Sequence, residues 1–150
     1  MNVDEFRKTI QLESIIQIND QDYKIDELVK FKFDDGSYYT KLYLKNGFVF
    51  ADDDENNMFL LVEPIKTEFK PPYVKTLEFH GKKFNFLYSA HATAEETKGK
   101  QIFPQGNSEG FWDYMSEDGS YLSLGIDDQS KEKVDFYGKI IKPEQVSLKE

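Results

Sequence analysis

The 150-residue sequence has no cysteine, and only one of its 19 basic residues is an arginine, Arg7. The absence of cysteine excludes disulfides, thiolate zinc ligands and cysteine nucleophiles together. Arginine recognises phosphates and carboxylates through two parallel hydrogen bonds, and the chain carries a formal net charge of -9. We therefore expect no nucleic-acid partner, because such binding rests on the neutralisation of phosphates by basic residues.

Long apolar runs are also missing. The chain begins MNVDEFRKTI, which is charged and lacks the apolar core of a signal peptide. No apolar run approaches the roughly 20 residues that a membrane-spanning helix needs. We expect a bacterial cytoplasmic protein without a membrane span.

Aromatic residues are abundant in the sequence. The 13 Phe, 9 Tyr and 1 Trp make up 15% of the chain. Each buried ring removes about 150–250 Å² from water, so a few residues can build a core although the hydrophobic fraction is only 39%. A chain of this length buries roughly 70% of its unfolded surface, and we expect a single domain over residues 1–150.

The hydrophobic pattern changes after a short helical start. Asn2 is a candidate N-cap for one N-terminal helix. The period then becomes two, as in strands with one buried face. The alternating apolar positions of the first long run are Tyr23, Ile25, Val29, Phe31 and Phe33. Glu27 and Leu28 break this alternation, which predicts a β-bulge or bend.

Turn signals separate the strands that follow. Asn46-Gly47 predicts a tight hairpin, because both positions of such a turn need positive φ. A later strand is expected to place these residues on one face: Phe84, Phe86, Tyr88, Ala90, Ala92 and Ala94. Short strands at regular spacing predict a mainly β fold, an antiparallel sandwich or barrel, with one short N-terminal helix.

One order of elements occurs twice: strand, glycine turn, strand, acidic loop, strand. The first copy runs from Tyr38 through Asn46-Gly47, and the second from Phe111 through Asp118-Gly119. This predicts two similar meander halves, residues 13–70 and 73–150. The alternative is that meanders resemble one another in composition without any duplication.

An acidic loop has the spacing of a calcium-binding EF-hand. Asp52, Asp54, Asn56 and Glu63 match positions one, three, five and twelve of that motif. Predicted strands flank the loop, and Pro64 disfavours a helical exit. We expect an acidic hairpin loop and no metal or other cofactor, and we keep a calcium-stabilised structural domain as an alternative.

His91 lies on the polar side of its predicted strand, with Glu95 and Glu96 nearby in sequence. A general base there, oriented by one of these carboxylates, would make the protein a small-ligand-binding or hydrolytic barrel. An exposed strand histidine is the plainer interpretation, and the sequence has no phosphate-binding loop or dinucleotide fingerprint. We lean against an enzyme and name no catalytic residue.

The densest aromatic cluster gives the favoured function. Alternation places Trp112 and Tyr114 on one face of a strand and Phe111 and Met115 on the other. These rings are either buried on both sides, inside a barrel or between sheets, or form an exposed platform for a partner. We favour a non-enzymatic binding or interaction module, with Trp112, Tyr114 and Tyr39 as partner-binding candidates. The partner, the ligand and the oligomeric state stay open.

The rhythm of strands and aromatics resembles the bacterial family named domain of unknown function 4178. The resembling stretches are Ile18–Ile25, Tyr38–Leu44, Phe84–Tyr88, Phe111–Leu124 and Asp135–Gly138. The sequence departs from the family at residues 19–22, where a glycine is expected in the turn. The resemblance implies a mainly β fold in a bacterial cytoplasm. It brings no established reaction and no agreed catalytic residues, so no role is carried over.

Overall fold

The helical part of the chain is short. The computed structural model describes residues 1–149, in which helix α1 spans Val3–Thr9 and a single 3-10 turn spans Pro143–Gln145. Asn2 caps α1 as predicted, because its side-chain oxygen accepts the backbone N–H of Glu5 at 2.8 Å. No helix within these residues is long and apolar enough to cross a lipid bilayer.

Strands form most of the remaining chain. Within residues 1–149 they are β1 (Ile15–Ile18), β2 (Gln21–Phe33), β3 (Tyr38–Leu44), β4 (Val49–Asp53), β5 (Met58–Ile65), β6 (Thr76–Phe79), β7 (Lys82–Gly99), β8 (Ser108–Met115), β9 (Ser120–Asp127), β10 (Lys133–Ile141) and β11 (Val146–Lys149). All their pairings are antiparallel. The predicted mainly β class with one short N-terminal helix is confirmed.

Eight of the strands close into a barrel. Their order is β2-β3-β4-β5-β10-β9-β8-β7, and the pairing of β7 with β2 completes the circle. Strands β1 and β11 continue the sheet beyond β2, and β6 continues it beyond β7. Of the two architectures that the sequence left open, the chain adopts the barrel.

The strand order contains the same five-strand unit twice. Units β1–β5 and β6–β10 each start with a short hairpin strand and continue as a meander, and they join through the β2–β7 and β5–β10 pairs. The Asn46-Gly47 turn joins β3 to β4, and the Asp118-Gly119 turn joins the equivalent β8 and β9. The predicted hairpin is present, but the expectation of positive φ at Asn46 is wrong, because only the glycine of each turn has positive φ. The strand order of the two units is the same, as two similar halves would have it. That the halves arose by duplication stays a prediction.

A bulge in β2 moves the strand from the outside of the barrel wall to the inside. The register shifts between Ile25 and Glu27, so Asp26 is an extra residue. Ile25 packs with the cluster that lies under α1, whereas Phe31 packs with Tyr39 inside the barrel. The break in alternation at Glu27 and its neighbour therefore marked a real bulge.

An equivalent bulge in β7 corrects one expectation. The register shifts between Phe86 and Tyr88, which leaves Leu87 as the extra residue. Phe84 belongs to a cluster on the outer wall, whereas Ala92 belongs to the cluster inside. The prediction that Phe84 to Ala94 share one face is wrong, because the extra residue at Leu87 places Tyr88 and the alanines after it on the opposite side from Phe84 and Phe86.

The outer wall is covered in two places. Phe6 of α1 packs edge-on against Phe50 and Phe59, with ring centroids 5.7 and 5.2 Å apart. Elsewhere the segment before β6 covers β8, where the Tyr73 ring lies 4.7 Å from that of Trp112. Aromatic residues are therefore buried on both faces of the barrel wall.

The turn between β1 and β2 explains why the family's glycine is dispensable here. Asn19 and Asp20 have φ angles of 48° and 67°, in the left-handed region. Asparagine and aspartate adopt this region more readily than other residues with a side chain. Asn19-Asp20 therefore makes the tight turn without glycine.

Gly99 is expected to be essential to the β2 bulge. Its φ is +103°, and a Cβ there would lie 2.3 Å from the backbone oxygen of Asp26. We expect Gly99→Ala to lower the free energy of unfolding in urea by about 3 kcal/mol, since strained φ and a backbone clash add. Gly36→Ala is the control, because Gly36 has a φ of +92° with nothing within 4 Å. It should cost about 1 kcal/mol, and equal losses would show that the bulge does not need the close approach.

Candidate functional site

The barrel encloses a cavity of about 700 Å³. Small-molecule sites in proteins commonly measure about 300–1,000 Å³, and an eight-stranded barrel is wide enough to hold one small ligand. Small residues on β4 and β9 keep the space open, among them Ala51, Ser123 and Gly125. We call this cavity the lumen.

Most of the lumen wall is apolar. Inward-facing residues that line it include Val49, Leu60, Val62, Phe111, Val134 and Phe136. A small polar set interrupts them, namely Tyr39, Lys41, Glu109, Asp113, Tyr121 and Ser123. An apolar wall with a few placed polar groups is typical of a ligand pocket.

The mouth of the lumen lies beside the β2–β3 turn and the β4–β5 loop. Ser37, Asp54 and Glu55 line it on these two connections. Leu87 and Tyr88 of the β7 bulge also line it, and they are 41% and 39% exposed. Bulges are common at barrel rims and beside active sites. This bulge changes the side of the wall on which the β7 side chains lie, and its exposed residues form a lip at the mouth.

A buried ion pair lies in the lumen. The Nζ of Lys41 is 3.4 Å from Oε1 of Glu109, and the two side chains are 6% and 5% exposed. The ammonium also lies 4.6 Å from the ring centroid of Phe136 and 5.3 Å from that of Tyr43. Burial lowers the pKa of Lys41, but Glu109 and Tyr43 outweigh it and raise the pKa above its ordinary value. Lys41 therefore stays charged.

Asp113 is a further charged group of the lumen wall. Its residue is 3% exposed, and its carboxylate accepts hydrogen bonds from Tyr121 at 2.5 Å and Ser123 at 2.6 Å. The Tyr88 hydroxyl contacts the same carboxylate. Burial raises the pKa of Asp113 to about 6 in spite of these hydroxyls, which act to lower it. The donors found around it in residues 1–149 are hydroxyl dipoles and not a lysine or arginine.

Glu27 closes the end of the barrel away from the mouth. Its two carboxylate oxygens accept the backbone N–H groups of Ile102 and Phe103 at 2.7 and 2.8 Å. Phe103 is buried and packs edge-on against Phe31, with centroids 4.9 Å apart. Burial raises the pKa of Glu27 while the two backbone donors act against it. The loop after β7 is thus fastened across this end.

The partner-binding candidates lie on two sides of the wall. Tyr39 faces the lumen, where its ring centroid is 6.1 Å from that of Phe111. Trp112 is half-buried on the outer wall, and the fully buried Tyr114 donates its hydroxyl to the carbonyl of Val74 at 2.7 Å. The structure does not bring the three together, and burial on both sides accounts for their alternation. Their partner-binding role stays a prediction.

His91 has different neighbours from those that its sequence suggested. Its Nδ1 lies 2.9 Å from Asp34, and its Nε2 lies 2.6 Å from Asp128. These hydrogen bonds raise the pKa of His91. Glu95 and Glu96 form ion pairs with lysines instead. His91 therefore links two loops on the outer wall, and the structure does not join it to either glutamate.

The acidic loop is the β4–β5 hairpin. Asp52 is buried and accepts two hydrogen bonds from Arg7 at 2.8 and 2.9 Å. Burial raises the pKa of Asp52 against the opposing effect of Arg7. Asp52 pairs with Phe59, and the exposed Glu63 lies four residues further along β5, about 13 Å away at the usual rise of a strand. The carboxylates at the first and last positions of the motif are therefore far apart.

The lumen charges Lys41, Glu109 and Asp113 were not singled out from the sequence. One signal could have found them, since Lys41 lies between Tyr39 and Tyr43 on the same side of its strand. A charge in line with buried aromatics is buried with them. That signal depends on knowing which face turns inward, which alternation alone does not decide when both faces are apolar.

Comparison with known proteins gives one family. The family model described as "Domain of unknown function (DUF4178)" matches residues 11–143. No curated protein and no solved structure matches the chain. The match covers the whole barrel, β2 to β10, and with it every lumen residue described above.

The Lys41–Glu109 pair should show strong coupling in a double-mutant cycle. Lys41→Met or Glu109→Gln alone leaves one charge buried without its partner, which typically costs about 3–5 kcal/mol. The double variant removes both charges and should recover a large part of that loss. Urea unfolding of the four proteins measures the coupling, and additive losses would mean that the two groups do not interact.

Asp113 should make stability depend on pH in a particular direction. The folded protein holds the Asp113 proton more tightly than the unfolded chain, since burial raises its pKa to about 6. The free energy of unfolding therefore falls as pH rises from about 4 to 6. At about 1.4 kcal/mol per pH unit, the loss approaches about 3 kcal/mol.

Asp113→Asn cannot lose that proton. Its free energy of unfolding, relative to the unmodified protein, should rise by about 2 kcal/mol between pH 4.5 and pH 7.5. Urea unfolding across this range measures the difference, and other carboxylates cancel in it. Parallel curves for the two proteins would contradict the burial of an ionisable Asp113.

Proposed function

The chain belongs to the family described as domain of unknown function DUF4178, and on that premise we propose that it is a non-enzymatic binding protein that holds a small, mainly apolar molecule in its lumen. The observation that carries this proposal is a cavity of about 700 Å³ inside a closed barrel. Its size and its mixture of apolar wall and placed polar groups are those of a small-molecule site.

The protonation states in the lumen support binding over catalysis. Lys41 is held as an ammonium, so it has no lone pair for nucleophilic attack. The Ser123 hydroxyl donates to Asp113, and His91 lies on the outer wall with both ring nitrogens engaged. Within residues 1–149 no histidine lies beside the Ser123 hydroxyl, and its carboxylate neighbour Asp113 also accepts a hydrogen bond from Tyr121, which favours the binding alternative of a small-ligand barrel over the hydrolytic one.

The cost of the lumen charges also supports a ligand. Replacing a buried ion pair by packed apolar residues is often neutral or stabilising by about 1–4 kcal/mol. The raised pKa of Asp113 likewise means that its ionised form opposes folding at neutral pH. Groups that reduce stability are commonly retained at functional sites, and here both lie in the lumen.

The lip of the mouth offers a path for an apolar molecule. Leu87 and Tyr88 are exposed there, at 41% and 39%, and the adjoining Phe86 on the outer wall is 38% exposed. Clustered exposed apolar side chains commonly mark binding surfaces. A bacterial cytoplasmic location and an unidentified protein partner remain parts of the proposal that rest on the sequence alone.

Binding of an uncharged fluorophore tests the proposal. N-phenyl-1-naphthylamine, which is neutral at pH 7.5, should bind saturably at one site with a rise in emission. Ala51→Phe, which fills the lumen beside Lys41 and Leu60, should weaken binding by about tenfold, a loss of about 1.4 kcal/mol. The matched control is Ser147→Phe on the exposed edge strand β11.

The two variants separate the possible results. Weakening by Ala51→Phe but not by Ser147→Phe, with both proteins folded by circular dichroism, supports the lumen as the site. Absence of saturable binding, or equal binding by both variants, would contradict the proposal.

A further inference from the structure

We propose that the molecule held in the lumen is a small organic ammonium ion with an apolar body, and that Asp113 binds its charged end. This inference rests on the proposed function, because it names the class of ligand for the same site. Glu109 neutralises the charge of Lys41 in the lumen, whereas Asp113 has no cationic side chain of residues 1–149 bound to it, and this difference supports the inference.

Lys41 is not available to an anionic ligand. Its ammonium faces Glu109 at 3.4 Å and has the rings of Phe136 and Tyr43 on other sides. The cation is therefore enclosed by a carboxylate and by aromatic faces, both of which stabilise it. A ligand carboxylate would have to displace Glu109 and leave that group buried and unpaired.

Asp113 lacks the cation that Lys41 supplies to Glu109. Its neighbours Tyr88, Tyr121 and Ser123 present hydroxyl dipoles, which carry no net charge. With Lys41 balanced by Glu109, the lumen retains the negative charge of Asp113. A buried ionised carboxylate is stabilised most by a cation at hydrogen-bond distance, and an ammonium group is such a partner.

The repeated strand order shows how this arrangement departs from symmetry. In the first half a turn hydrogen bond joins Gly47 to Leu44, and in the second half the equivalent bond joins Gly119 to Ser116. Lys41 lies three residues before Leu44, and Asp113 lies three residues before Ser116. The two halves thus place a lysine and an aspartate at equivalent lumen positions. Glu109 neutralises only the lysine.

Asp113 is within reach of the mouth. The Tyr88 hydroxyl contacts Asp113, and the Tyr88 residue is 39% exposed at the lip. Asp53, Asp54 and Glu55 also line the cavity at its outer end. Carboxylates at a cleft entrance raise the local concentration of cations. The Tyr88 ring adds a face on which an ammonium ion can lie.

An organic cation fits this site better than a metal ion. Calcium takes six to eight oxygen ligands, and magnesium requires an octahedron. At the Asp113 end of the lumen the structure offers one carboxylate with tyrosine and serine hydroxyls, surrounded by an apolar wall. An apolar body with one ammonium group uses both features.

Three probes of matched shape test the charge preference by calorimetry at pH 7.5: 2-phenylethylamine, 2-phenylethanol and 3-phenylpropionate. The amine should bind at least tenfold more tightly than the alcohol, and the propionate should bind most weakly. Asp113→Asn should abolish the preference for the amine over the alcohol. Glu63→Gln is the control, because it makes the same change of charge at an exposed position on the outer wall.

The pH dependence in the unmodified protein is a second arm that needs no variant. The charged and titratable groups that act on or respond to Asp113 are Lys41, Tyr39, Tyr88 and Tyr121. Asp53 and Glu109 act on the neighbouring Tyr88 and Tyr39. The affinity for the amine should fall as pH drops from 7.5 through 6, since Asp113 loses its charge while the amine keeps its own. The affinity for the alcohol should stay level over this range.

The outcomes distinguish the two proposals. If the fluorophore binds but the amine has no advantage over the alcohol, or keeps its advantage in Asp113→Asn, the ammonium inference is overturned and the lumen site stands. If the fluorophore does not bind, the proposed function is overturned and the ammonium inference with it. If Asp113→Asn does not fold, the pH series decides, and an amine affinity that does not change with pH overturns the inference.

Discussion

The barrel depends on two equivalent bulges, at Asp26 in β2 and at Leu87 in β7. Each lets one long strand bury apolar residues on the outer wall before the bulge and inside the barrel after it. Without them the hairpins β1–β2 and β6–β7 could not cover the outside while the same strands close the circle. Gly99 belongs to this constraint, because only a residue without Cβ fits against the backbone of Asp26.

Burial on both faces of the wall leaves the lumen free to carry charge. Apolar clusters outside the barrel, such as Phe6 with Phe50 and Phe59, add to the buried cluster inside it. The barrel can therefore stay folded with a cavity of about 700 Å³ inside it and with the buried charges of Lys41 and Glu109. A barrel that relied on its interior for stability would fill it with apolar side chains. Apolar packing on the outer wall stabilises the fold, and this leaves the lumen able to contain a binding site.

Local patterns predicted the local structure, and the site was missed for a physical reason. The cap at Asn2, the Asn46-Gly47 turn, the broken alternation beside Glu27 and the repeated order of strands are all properties of neighbouring residues, and sequence shows them directly. The lumen depends on which face of each strand turns inward, and the Leu87 bulge reverses that choice without any polar signal. Contacts such as Lys41 with Glu109, 68 residues apart, follow only from the closed barrel.

The two halves have the same strand order but different charged residues in the lumen, and this difference bears most on function. Equivalent positions hold the opposite charges Lys41 and Asp113, and the structure of residues 1–149 shows no ion pair between the two. Instead Glu109 contacts the lysine and hydroxyls surround the aspartate. The fold needs the repetition, because matched meanders close the barrel. A binding site for an ion needs a charged side chain that faces a cavity and has no counter-charge. Because the two halves differ, Asp113 is that side chain within residues 1–149.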